Sequence, residues 1–199
     1  MRRLVMFNRV SADGYFATND GNLDWTIPDD AIDQAGAARM KDFDTMLFGR
    51  RTYDAFESFW PHAEGDSETA GDPHSDGRRT KTLLAMASWI NRTQKWVFSS
   101  TKQQVSWQNS RLFSRFDPAE LRALKQAPGK DMILFGSGSL VSQLTEHRLI
   151  DEYQFVVGPL LLGGGRSLIQ GVSERLPLEL LEAKPYPSGN LMLRYAPRA

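Results

Sequence analysis

Thr45-Met46-Leu47-Phe48-Gly49-Arg50-Arg51-Thr52-Tyr53 holds a complete structural sentence. Thr45–Phe48 is a short apolar run that stops at a glycine, the pattern of a buried strand closed by a tight turn. Arg51–Ser58 then carries helical character, with Pro61 expected to break it. A strand, a glycine turn and a helix in immediate succession form one unit of an α/β fold.

The same unit recurs on both sides. Upstream, Leu4–Val10 is a strand-forming run ended by the turn Ser11-Ala12-Asp13-Gly14. Pro28-Asp29-Asp30 supplies a helix start, and Ile32, Ala35, Met40 and Phe43 follow at roughly helical spacing. Downstream, residues 62–80 are rich in Gly, Asp, Ser and Glu and read as an exposed polar loop within one domain spanning 1–199. Lys81–Asn91 reads as a helix and Lys95–Phe98 as a strand ending at Ser99-Ser100-Thr101. Asp117-Pro118-Ala119-Glu120 is a capping-box start to a helix that ends at Pro128-Gly129. Met132–Phe135 is a strand ending at Gly136-Ser137-Gly138-Ser139, followed by a helix from about Leu140 to His147. Tyr153–Val157 is a strand, and Leu178–Ala183 with Leu191–Tyr195 forms a hairpin. Alternating strands and helices predict an α/β sandwich with a mostly parallel sheet and an antiparallel C-terminal hairpin.

Three strand ends share a chemistry: Gly49-Arg50-Arg51-Thr52, Ser99-Ser100-Thr101 and Gly136-Ser137-Gly138-Ser139. Ligands of open α/β sheets bind outside the carboxyl ends of the strands, so the three loops are expected to converge. Glycines let the backbone approach a pyrophosphate, and the helix N-terminus behind them offers N–H groups and a positive dipole end. Arginines and hydroxyls hold a further phosphate through charge-assisted hydrogen bonds. Taken singly, each segment also reads as an ordinary turn, a solvated arginine pair or a loop cap. The Rossmann fingerprint is absent, because Val141 stands where its third small residue would be, and no GxxxxGK loop occurs.

Composition narrows the partner. With 24 Lys plus Arg against 24 Asp plus Glu in 199 residues, no net field draws nucleic acid or an anionic membrane, and a small-molecule substrate is expected. The absence of cysteine removes disulfides, thiolate metal sites and a cysteine nucleophile. His62, His74 and His147 lack metal-ligand spacing, so no metal is expected. Asn8 and Arg9 interrupt the apolar N-terminal run before it reaches signal-peptide form, and a cytoplasmic location is the default expectation.

These segments resemble the dihydrofolate reductase superfamily. Gly49-Arg50-Arg51-Thr52-Tyr53 is similar to its GR-x-T-[WY] turn, Lys95–Thr101 (KWVFSST) to the next strand, and Ile133–Leu140 (ILFGSGSL) to the strand and turn beside the pyrophosphate and nicotinamide. Ser11–Ala17 resembles the S-L-D-G-x-[IA]-A start of riboflavin-biosynthesis reductase domains. Ile150-Asp151-Glu152 with Gly158–Gly165 is similar to the IDE and P-x-x-LGGG segments of that branch. The resemblance implies a dihydrofolate-reductase-like three-layer sandwich, NADPH as cofactor, hydride transfer and a homodimer. It assigns the cofactor to Ala12, Gly49, Arg50, Arg51, Thr52, Ser99, Ser100, Thr101, Phe135, Gly136, Ser137, Gly138, Ser139 and Leu140.

At the substrate end the readings stay open. Trp25-Thr26-Ile27-Pro28-Asp29-Asp30 resembles the W-x-L-P-x-[DE] segment, which implies Asp30 as the carboxylate beside the substrate; the alternative is that Asp29 and Asp30 only cap a helix. Asp13 lies in a turn that the resemblance puts beside the nicotinamide, yet Asp-Gly is ordinary turn chemistry. Either acid, or a water, would complete proton delivery. Trp25 and Tyr53 line a substrate pocket or pack in the core. Gly163-Gly164-Gly165 cradles a ligand or connects two elements. Three functions follow from the resemblance: reduction of a ribosylamino-pyrimidine or similar small heterocycle, dihydrofolate reduction, and nucleotide binding without turnover.

Overall fold

The computed structural model describes residues 1–65 and 80–198. Its elements are β1 (Leu4–Ser11), β2 (Tyr15–Ala17), α1 (Asp30–Arg39), β3 (Phe43–Gly49), α2 (Arg50–Ala63), α3 (Lys81–Arg92), β4 (Gln94–Phe98), β5 (Ser110–Phe113), α4 (Pro118–Gln126), β6 (Asp131–Phe135), α5 (Gly138–Glu146), β7 (Glu152–Gly158), β8 (Arg166–Ser167), β9 (Leu178–Pro185) and β10 (Leu191–Pro197). Eight strands form one sheet in the order β5-β4-β3-β6-β1-β7-β10-β9. The first six run parallel, and β10 lies antiparallel to both β7 and β9. A separate ribbon pairs β2 with β8.

Alternation along β1 separates the two faces. Leu4 and Met6 pack with Leu121 of α4 and with Leu140, Val141 and Leu144 of α5. Val5 packs with Tyr53, Phe59 and Trp60 of α2 and with Leu83, Ala87 and Ile90 of α3. Helix α1 lies on this second face through Ile32, which meets Val156 of β7, Tyr186, Phe7 and Met192. Three layers result, with α1, α2 and α3 on one face and α4 and α5 on the other. Among the described residues, no helix is long and apolar enough to cross a membrane.

Several expected boundaries shift for physical reasons. Phe43, placed by spacing on a helix, opens β3, because α1 tightens into a single 3₁₀ turn at Met40–Asp42. Pro61 does not end α2, which runs to Ala63; the proline forfeits one hydrogen bond so near the terminus that only two helical residues follow. His62 and Ala63 are therefore helical, and residues 66–79 of the expected polar loop lie outside the described residues. Helix α5 starts at Gly138, directly at the glycine turn. The strands β2, β5 and β8 are too short or too polar to announce themselves. Edge strand β5 is positioned by the fully buried Lys95, whose Nζ donates to the carbonyls of Asn91, Thr93 and Gln108 at 3.0, 2.8 and 3.2 Å.

Candidate functional site

Parallel register puts the ends of β4, β3 and β6 on one edge of the sheet, with Gly49 directly opposite Phe98. The three predicted loops meet there, around one cavity of about 1470 Å³. Gly49, Arg50, Arg51, Thr52, Ser99, Ser100, Thr101 and Phe135 through Leu140 all line it.

Two of these loops are tied to each other. The Ser137 Oγ accepts from the Gly49 N–H at 2.8 Å and donates to the Phe135 carbonyl at 2.9 Å, while the Ser137 N–H donates to Thr52 Oγ1 at 3.0 Å. Ser137 itself sits at φ +60, a left-handed conformation that costs a non-glycine residue on the order of 1–2 kcal/mol. The three hydrogen bonds hold it there. Gly136 is also left-handed, at φ +53, and a Cβ on it would stand 2.6 Å from Thr52 Oγ1. Only glycine fits between this turn and α2. Neither Gly49 at the head of α2 nor Ser137 at the head of α5 gives its helix a side-chain cap; in α5 the Leu140 amide turns back to the Ser137 carbonyl at 2.8 Å, which leaves the Gly138 and Ser139 N–H groups at the helix tip to face an anion.

Charge is distributed around this end. Arg50 lies 3.5 Å from Asp54 along α2, and exposed Arg51 stands beside it. Lys102 is neutralised by Asp54 at 2.7 Å. The Ser99 Oγ accepts from the Thr101 and Lys102 amides at 3.2 and 3.0 Å, which shapes the Ser99–Thr101 loop from within. On the opposite wall, Phe16 of β2 comes so close to Gly138 that a Cβ there would stand 3.0 Å from its ring. Arg166 of β8 also lines the cavity, with its guanidinium donating to the Asn19 carbonyl at 3.2 and 3.0 Å.

The cavity continues over the α1 face of the sheet. Its floor is a row of register partners, Phe135, Phe7, Gln154, Arg194 and Glu182, which crosses β6, β1, β7, β10 and β9. A second row runs from Arg9 through Val156 to Met192 and Lys184. Arg194 donates to buried Glu152 at 2.7 Å and to Glu182 at 3.0 Å. Burial works against a charge on Glu152, yet hydrogen bonds from Arg194, Gln154 and Arg3 hold it below its ordinary carboxylate range.

The two adjacent acids at the start of α1 divide the labour. Asp29 is the N-cap, its Oδ1 accepting from the Ala31 and Ile32 amides at 2.9 and 3.2 Å and its Oδ2 accepting from the Ser188 hydroxyl. Asp30 is the first helical residue and lines the cavity.

Four of the sequence candidates stand off the cavity wall, and at Asp13, Tyr53 and Trp25 the geometry matches the alternative reading of turn or core. Asp13 does not face the cavity: its carboxylate accepts from Ser11 Oγ at 2.6 Å and from the Leu162 and Gly163 amides at 3.1 and 2.8 Å, so it clamps a loop. The Ser11 hydroxyl bond lowers its pKa most, burial opposes, and the two amides add to the lowering, which keeps it ionised. Ala12 spends its N–H on the Leu160 carbonyl at 2.9 Å and is not part of the cavity wall. Tyr53 is fully buried, donating to Glu57 Oε1 at 2.9 Å and accepting from the Trp107 amide at 3.1 Å. Trp25 packs against Gly158, away from the cavity, with its indole nitrogen buried and without a hydrogen-bond partner among the described residues. Of the glycine run, Gly163 is held by Asp13 and Gly165 reaches the cavity. No cluster of potential metal ligands occurs among the described residues.

Conversely, sequence reasoning missed Phe7, Arg9, Phe16, Gln154, Arg166, Met192 and Arg194 on the cavity wall. Their signal is strand alternation combined with register, and register is not written in any one segment.

Sheet order, layering and the cavity at the strand ends define a dihydrofolate-reductase-like α/β fold. The chain belongs to the RibD C-terminal domain family, whose pattern matches residues 2–192. It is 28% identical over 195 residues to protein YyaP of Bacillus subtilis (strain 168), covering 98% of this chain and 94% of that protein. A Shewanella sp. PV-4 protein named for riboflavin biosynthesis superposes with TM-score 0.74 at 22% identity, over 99% of each chain. The dihydrofolate reductase of Enterococcus faecalis, solved with NADP(H), superposes with TM-score 0.61 at 11% identity, over 99% of this chain and 97% of that one.

Proposed function

We propose that the protein is an NADPH-dependent reductase that delivers hydride to a small nitrogen heterocycle of the ribosylamino-pyrimidine kind. The observation that carries this reading is the convergence of Gly49–Thr52, Ser99–Thr101 and Gly136–Leu140 on one cavity. The residues fit the cofactor chemically. Gly136 packs its turn directly against Thr52 of α2, and two helix starts without side-chain caps border that turn, where backbone N–H groups can meet a pyrophosphate. Arg50, Arg51, Ser99 and Ser100 supply cations and hydroxyls suited to the adenosine 2′-phosphate, which favours NADPH over NADH.

NADPH would supply the hydride; the chain's own part is to bind, orient and exclude water. The fixed Ser137 turn holds the α5 amides in place before any ligand arrives, so little ordering cost is left for binding. Phe16 narrows the opening over Gly138. Asp30, the acid at the head of α1 on the cavity wall, holds or relays the proton, directly or through a water.

A second reading, dihydrofolate reduction, is favoured by that same Asp30, which stands clear of the capping duty taken by Asp29. Tryptophan-fluorescence titration with NADPH and NADH, on the native protein and on Arg50→Ala, tests the cofactor claim. Preferential NADPH binding weakened by the substitution is expected; failure to bind either nucleotide sinks the reading. Methotrexate inhibition of turnover would turn the assignment to the second reading, and tight NADPH binding without turnover on any heterocycle would reduce it to nucleotide binding.

A further inference from the structure

Gln154 is 5% exposed and forms part of the cavity floor, between Phe7 on β1 and Arg194 on β10. Its Nε2 donates to Glu152 Oε1 at 2.5 Å. Which way an amide points is decided by its neighbours. Glu152 already accepts from Arg194 at 2.7 Å and from Arg3 at 2.8 Å, and an ionised carboxylate can only accept. The Gln154 NH₂ must therefore face Glu152, and Oε1 must face away from it. Among the described residues Oε1 has no hydrogen-bond donor, and it is not sealed away from solvent, so it opens to the cavity. A nearly buried acceptor with fixed orientation and no partner is a place where a ligand atom belongs.

We infer that Gln154 determines which substrates the cavity accepts, its Oε1 taking a hydrogen bond from an N–H group on the substrate ring. The inference rests on the reductase reading only in naming the occupant a substrate. The surroundings define the rest of that class. Phe7, Ile32, Tyr186 and Met192 give the floor and the α1 wall an apolar surface for a planar ring. Arg194 is already committed to Glu152 and Glu182, so among the polar residues of the floor row the glutamine oxygen is the acceptor left to the ring. A ring bearing an amino or ring N–H group satisfies Oε1. A ring of the same shape without a donor strands it unpaired in a desolvated pocket, which sites of this kind penalise.

The test compares 2,4-diaminopyrimidine with 2,4-dimethoxypyrimidine, equal in ring and substitution but opposite in donors. Each is titrated calorimetrically into protein saturated with NADP⁺. The native protein is expected to prefer the diamino ring by about tenfold or more. Gln154→Met keeps length and burial but removes the oxygen, and should bring the preference below about twofold with the NADP⁺ affinity unchanged. Glu152→Gln frees the Gln154 amide to turn and should leave an intermediate preference, which provides a second arm if the methionine variant does not fold. An unchanged preference in both variants overturns the inference, as does a native protein with no preference, weak or absent binding of both rings included. The NADP⁺ titration of the same samples reads a different claim: its failure defeats the reductase reading, while a diamino preference lost in Gln154→Met still upholds the role of Gln154.

Discussion

The two halves of the cavity are built on opposite principles. At the strand ends the innermost wall is backbone, with Arg50, Arg51 and Ser99 around it: Gly49, Gly136 and Ser137 come from two loops and are fastened by side-chain hydrogen bonds between them. Over the α1 face the floor is side chains, contributed one at a time by five strands and kept in place by the Glu152 charge cluster. A backbone wall can recognise only what every ligand of the class shares, such as a pyrophosphate. A side-chain floor can be rewritten residue by residue without disturbing the fold. Under the proposed reductase reading, the contrast suits a fixed cofactor in the first half and a variable substrate in the second.

The largest expected effect attacks the backbone half. Gly136→Ala puts a methyl group 2.6 Å from Thr52 Oγ1 and forces alanine into a left-handed conformation. Strain and overpacking together should cost about 3 kcal/mol and abolish NADPH binding. Thermal unfolding and fluorescence titration check both. Retained NADPH affinity would show that this turn is not the cofactor wall and would break the comparison.

The next effect attacks the charge cluster under the other half. Glu152→Gln keeps the shape but removes the anion on which Arg3 and Arg194 converge, at a cost of about 2 kcal/mol near neutral pH. The sign of its pH dependence follows from the lowered pKa of Glu152, whose burial is outweighed by its hydrogen-bond donors. A depressed carboxylate stabilises the fold above its ordinary value of 4.5, and that contribution is lost as pH falls through the lower folded value. The difference between native and variant unfolding midpoints should therefore shrink as pH falls below 4.5 and through the lower folded value. A gap that stays constant would mean that Glu152 is not charged in the native state. NADPH affinity should be untouched, in contrast to Gly136→Ala. Smaller still, Thr52→Val removes the acceptor of the Ser137 amide and should cost about 1 kcal/mol while weakening NADPH several-fold, because the turn is loosened but not filled.

The same contrast explains what could be read from the chain alone. The backbone half was legible because each wall is a contiguous segment at the end of an apolar run, and parallel strands bring such ends together. Phe135, Gly136 and Ser137 are neighbours in sequence and in space. In the floor, Phe7 and Gln154 are neighbours in space alone, and pairing β1 with β7 requires knowing the sheet order. Sequence pattern also cannot see which atoms are already engaged. Tyr53 follows a cavity-lining turn yet points into the core toward Glu57 and Trp107, and Trp25 turns away to Gly158. Asp29 and Asp30 are equivalent as letters; only the cap hydrogen bonds tell them apart.

The smallest expected effect, and the sharpest, separates the two acids proposed for proton delivery. Asp13→Asn replaces a carboxylate that accepts from the Leu162 and Gly163 amides. It should speed hydrogen exchange at those two amides, since an asparagine offers one oxygen where the carboxylate offers two. It should change NADPH affinity by no more than about twofold, as expected for an exposed contact outside the cavity. The pH profile of turnover should not move, because a carboxyl held ionised by Ser11 and two amides has no proton to give near neutrality. Asp30→Asn, on the cavity wall, should lower turnover while leaving the exchange of Leu162 and Gly163 as it was. If Asp13→Asn altered the profile, the loop it clamps would have to open onto the cavity during turnover, and the division between a fixed backbone wall and a variable floor would fail at that corner.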